Sequence, residues 1–143
     1  MKKHFSLLLA FTLVIANGFI GHFYAPYGII FTPVLLPLTI GLLVFGKHTK
    51  KPIPLALGAF SLVALNDVLI KLYSGGLHDW EGYGWIQGTL LLGLFPSFIL
   101  VALGVHKNTV ALKSAKVLGI LLFPVMVFVH LYFTSRLGLG RLY

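Results

Sequence analysis

Five long apolar runs, four of them without a charged residue, leave this chain few ways to fold. They are Phe5–Tyr24, Gly28–Gly46, Ile53–Tyr73, Trp85–Val105 and Val117–Ser135. Each is close to the roughly 20 residues that carry a helix across about 30 Å of hydrocarbon. The runs are continuous rather than alternating, which argues against strands. In lipid only helices and closed barrels satisfy every backbone N–H and C=O. The sequence therefore predicts an all-α integral membrane protein, a single polytopic domain over 1–143. It would be a bundle of about five transmembrane helices joined by short loops. Charged residues make up 10% of the chain and its mean hydropathy is +0.97, whereas soluble domains carry about 25% charged residues.

Lysines set the expected orientation. Lys2 and Lys3 precede the first run, Lys47, Lys50 and Lys51 follow the second, and Lys107, Lys113 and Lys116 follow the fourth. If the helices alternate in direction, all three groups fall on one side, and positive charge marks the cytoplasm. The amino terminus is then cytoplasmic, and in a bacterium the host membrane is the inner one. All three acidic residues, Asp67, Asp79 and Glu81, lie in the outer half or outside it, while Arg136 and Arg141 run against the trend. Lys2-Lys3, an apolar stretch and Ala16-Asn17-Gly18 also resemble a cleavable signal. The apolar character continues past that point to Phe23, as a spanning helix requires.

The formal net charge of +8 raises the question of nucleic acid. The lysines sit in short loops and not on one basic face, so no nucleic acid is expected. The expected partners are the lipid bilayer and another membrane protein or further copies of the chain. There is no cysteine, which excludes disulfides, thiolate metal sites and thiol catalysis. Pro33, Pro37, Pro96 and Pro124 fall inside the runs and read as kinks, with Thr32 and Thr39 placed to help satisfy the carbonyls freed in the second. Gly84, Gly88 and Gly93 suggest a small-residue contact face on the fourth helix.

Polar groups within the runs carry the functional information, because each is expensive in lipid unless paired. Asn66, Asp67, Ile70, Lys71 and Ser74 share one helical face. Asp67 and Lys71 form an acid-first i,i+4 pair, with Lys71 expected to snorkel toward the outer headgroups. Asn66 then needs a partner from another helix, and Asn17 on the first is the candidate, beside Gly18, Gly21 and His22. Met126, His130 and Thr134 stack on the fifth. Asn17, Asp67 and His130 all fall roughly 8–10 Å from their outer helix ends at 1.5 Å per residue. Gln87 and Thr32 extend the layer. The inner half holds only hydroxyls such as Ser6, Thr12, Thr39, Ser61 and Ser97, which can bond their own helices.

The outer loop, Leu77-His78-Asp79-Trp80-Glu81-Gly82-Tyr83-Gly84-Trp85, offers belt aromatics and three possible ligands. With His22 and His130, the loop residues His78, Asp79 and Glu81 are the candidate metal set, although no metal-ligand spacing is present. A haem between His22 and His130 is a further geometric option. No phosphate loop, nucleophile elbow or dinucleotide fingerprint occurs.

The leading expectation is a small, non-enzymatic accessory or assembly subunit. In the alternative, an enzyme or ligand-binding protein has an outward-facing site around Asp67, with Lys71, His22 and His130 in support. A third option is an ion-coupled transporter that works as an oligomer, since a single copy lacks polar lining from face to face.

Overall fold

A computed structural model describes residues 5–46, 51–74 and 80–139, and among these every regular element is a helix. The helices are α1 (Phe5–Phe23), α2 (Tyr27–Phe45), α3 (Pro52–Tyr73), α4 (Trp80–His106) and α5 (Lys113–Phe133). All five are long and apolar enough to cross a membrane. At 1.5 Å per residue, the 19 residues of α1 or α2 span about 28 Å, near the thickness of a bilayer's hydrocarbon core.

Two helices begin four or five residues earlier than the sequence reading, and the other boundaries agree within two residues. The fourth helix starts at Trp80, not Trp85, so Trp80 and Glu81 belong to its first turn and not to a loop. In the sequence, the stretch up to Trp85 reads as the outer loop. Local contacts favour the helix instead. The Trp80 and Tyr83 rings meet edge to face at 6.4 Å, Gln87 donates to the Tyr83 hydroxyl one turn on, and Glu81 lies where the helix dipole favours a carboxylate. The fifth helix runs Lys113–Phe133 where 117–135 was expected. Asn108 accepts hydrogen bonds from the backbone of Val110 and Ala111 at 3.0 and 2.9 Å. This Asx-type turn ends the connection early and lets the helix begin sooner.

Contacts fix an alternating arrangement. At one end a Cβ on Gly46 would collide with Ser6, Lys107 lies over the Phe45 ring, and Lys116 donates to the carbonyl of His106. A Cβ on Gly119 there would stand 2.8 Å from Pro52. At the other end His22 meets the Tyr73 carbonyl and Lys71 approaches Thr134. The first is the lysine-rich end.

Helix α3 is central and touches the other four, while α1 and α5 lie on separate sides of it and do not touch each other. The core between them is apolar, with Val14, Leu36, Ile40, Leu62, Leu90 and Val101 essentially inaccessible. Glycines let the helices approach closely, as in membrane bundles generally. Gly93 packs toward Pro33, and Gly28 meets Gly21 backbone to backbone. Gly84 and Gly88 instead face open space, so the three α4 glycines do not form one contact face. The outward surface is apolar as well, with Phe19, Phe95 and Phe128 each at least 60% exposed.

The prolines lie within helices as expected, but the threonines of α2 do not repair them. Thr32 donates to Gly28 and Thr39 to Leu36. The carbonyls that Pro33 and Pro37 leave without an i→i−4 donor are those of Ile29 and Pro33.

Candidate functional site

Asp67 and Lys71 lie one turn apart on α3, and both side chains are fully inaccessible. Lys71 Nζ donates to Asp67 Oδ2 at 2.9 Å. The same oxygen meets His130 Nε2 at 3.0 Å and Thr134 Oγ1 at 3.1 Å. Since His130 and Thr134 are also one turn apart, two i,i+4 pairs from facing helices close on one oxygen. In the tautomer that carries its proton on Nε2, His130 donates to this oxygen. Thr134 has one hydroxyl proton and two acceptors in reach, Asp67 Oδ2 and the His130 carbonyl at 2.9 Å, so it serves one at a time.

Lys71 does not snorkel. Its ammonium turns across to α5 and reaches both the carbonyl and the hydroxyl of Thr134 at 3.3 Å. Thr134 is the C-cap of α5, where a cation is favoured by the helix dipole and by unsatisfied carbonyls. The pull of a buried carboxylate and a helix terminus thus outweighs the reach for headgroups. The Tyr83 ring of α4 covers the ammonium at 5.5 Å, a cation–π distance. Gln87 joins the layer indirectly by donating to the Tyr83 hydroxyl at 2.6 Å. Beyond α5, Gly138 adopts φ +88° against the Lys71 carbonyl, where a Cβ would collide. That close approach and left-handed backbone suit glycine, and they bring the tail over the end of α3.

A second network joins α1, α2 and α3. Asn17 Nδ2 donates to the Gly28 carbonyl and to Asn66 Oδ1, both at 3.0 Å. Asn66 Nδ2 donates to Thr32 Oγ1 at 3.3 Å, and Thr32 returns to Gly28 at 2.9 Å. The partner expected for Asn66 is therefore Asn17, and Thr32 extends the layer as anticipated. Asn17→Ala is expected to lower stability by about 1–2 kcal/mol, in line with interhelical hydrogen bonds in membranes and with leaving Asn66 short of a donor. Chemical unfolding of the purified chain measures it.

The remaining candidates are dispersed. His22 Nδ1 meets the Tyr73 carbonyl at 3.2 Å and borders a groove of about 470 Å³ with Ile15, Phe19 and Leu69. It stands on the α1 side of α3, whereas His130 faces Asp67 and the Phe60 ring from the α5 side. The structure does not gather His22 and His130 at one centre. Among the described residues no three His, Asp or Glu groups stand close enough to share a metal ion. Glu81 is in the first turn of α4, and His78 and Asp79 lie outside the described residues.

Thr134 and Tyr83 were not among the site residues expected. Thr134 was visible only as the i+4 neighbour of His130, and Tyr83 had the appearance of an ordinary interfacial aromatic. Among the described residues Asp67 Oδ1 and Asn17 Oδ1 are buried without hydrogen-bond partners. Searched against protein-family models, curated proteins and solved structures, the chain matches none.

Proposed function

We propose that this chain is an integral membrane protein with its lysine-rich end in the cytoplasm, serving as a non-enzymatic accessory or assembly subunit. Five apolar helices and an apolar outward surface support the membrane setting, because in water such a surface would aggregate. One observation carries the non-enzymatic part. The ionisable groups of the polar layer are spent on one another, with Asp67 and Lys71 inaccessible and His130 and Thr134 closing over them. The grooves at the end opposite the lysines, between α1 and α3 and between α2 and α4, are lined by residues other than these four. The layer thus locks α5 and α1 onto α3, so that the rigid bundle can present its apolar faces to a partner. The hydroxyls of Thr39, Ser61 and Ser97 donate to their own helices, which supports this reading over a polar path through one copy.

A second reading, a ligand or proton site at Asp67, draws on Oδ1, which has no donor among the described residues. One complementation experiment separates the two. In a host lacking the chain, Asp67→Leu/Lys71→Met is expected to restore assembly of the partner complex in proportion to its own abundance. Wild-type abundance with no restored function would overturn the accessory reading and make Asp67 a chemical site.

A further inference from the structure

Eight of the eleven basic residues and none of the three acidic ones belong to the segments flanking the lysine-rich end. Topology alone accounts for the sign of that charge. It does not account for a groove of about 330 Å³ where α3 begins beside the α4–α5 connection. Its walls include Pro52, Ile53, Val110 and Leu112, and its polar residues are Lys51 and Asn108. Asn108 commits its Oδ1 to the backbone of Val110 and Ala111, so what it has left for a ligand is an NH2 donor. Lys51 contributes an ammonium from an exposed residue. Every polar side-chain group left to the groove is therefore a donor.

The surroundings have the same sign. Lys113, the exposed first residue of α5, directly follows the lining residue Leu112, and neither α3 nor α5 has an acidic residue in its first turn. Lys107 and Lys116 already have partners in the Phe45 ring and the His106 carbonyl. Lys51 and Lys113 remain without an acidic partner among the described residues. Apolar walls with donor-only, cationic rims match an amphiphile whose polar part is an anion.

We propose that this groove binds an anionic glycerophospholipid of the adjacent leaflet, an inference that rests on the membrane reading above. The phosphate sits between Lys51, Lys113 and the Asn108 amide, and an acyl chain lies along Ile53 and Leu112. The basic cluster then acts as a specific lipid site in addition to setting orientation.

The test uses the full purified chain. Native mass spectrometry from detergent is run with phosphatidylglycerol, phosphatidylcholine or glycerol phosphate. Phosphatidylglycerol is expected to remain bound where phosphatidylcholine and glycerol phosphate do not. Lys51→Gln/Lys113→Gln is expected to weaken its retention about tenfold or more, and Arg136→Gln, at the opposite end, is expected to leave it unchanged. Equal retention of both lipids, binding of glycerol phosphate as well as lipid, or a double variant that keeps its preference would each overturn the proposal. Carbonate washing of reconstituted vesicles separates the two levels. A chain that stays in both lipids without preferring either defeats only the lipid site, and one that washes out of both defeats the membrane reading with it.

Discussion

Asp67→Ala is expected to destabilise the bundle by about 3–5 kcal/mol, the cost of leaving a buried cation without its counter-charge. Lys71 is inaccessible and cannot recover solvation without unpacking the ends of α3 and α5. The loss reaches further than one ion pair, because Asp67 Oδ2 is the point on which Lys71, His130 and Thr134 converge. Helix α5 is the most dependent on it, with only Gly119, Phe123 and Val127 buried along its length. Replacing both charges together, as Asp67→Leu/Lys71→Met, is expected to recover most of the loss, since apolar pairs often substitute for buried ion pairs at little cost. Reversible unfolding in mixed detergent micelles reads both values. A double variant no more stable than Asp67→Ala would show that the charges themselves are required.

Gly28→Val is expected to be at least as damaging. A Cβ at Gly28 would stand 2.6 Å from Gly21 Cα and 2.8 Å from Gly21 N. Those are backbone atoms of another helix, so no side-chain rotation relieves the clash. Overpacking of a close-packed interior costs about 1–3 kcal/mol when neighbours can shift, and here α1 and α2 must separate. Separation also removes the Gly28 carbonyl from Asn17, adding the loss of an interhelical hydrogen bond. The combined effect is expected to be about 3 kcal/mol or more, seen as loss of the folded, monodisperse species on size-exclusion chromatography. Gly88→Val is the matched control, because its Cβ would meet nothing within 4 Å. Equal damage at both positions would remove the α1–α2 crossing as the cause.

Much of the polar layer is legible in the sequence, and for a physical reason. Asn17, Asn66, Asp67 and His130 are costly in an apolar run unless paired, and helices of alternating direction fix their relative depth. Depth does not specify azimuth. His22 and His130 stand near the same end and still serve opposite sides of α3, since α1 and α5 do not touch. The expectation that Lys71 would extend toward headgroups failed in the same way. The side chain can reach in either direction, and the C-terminus of α5 made the inward one better.

Composition and hydrophobic run length were enough to dictate helices, their number and the end at which the lysines collect. These are local properties, set by backbone satisfaction and by charge between the runs. Which helix is central, which glycine meets which backbone and where each polar side chain finds its donor were decided by packing alone. Such choices depend on the rotation of each helix about its axis. An apolar run that is hydrophobic all round carries almost no signal for that rotation.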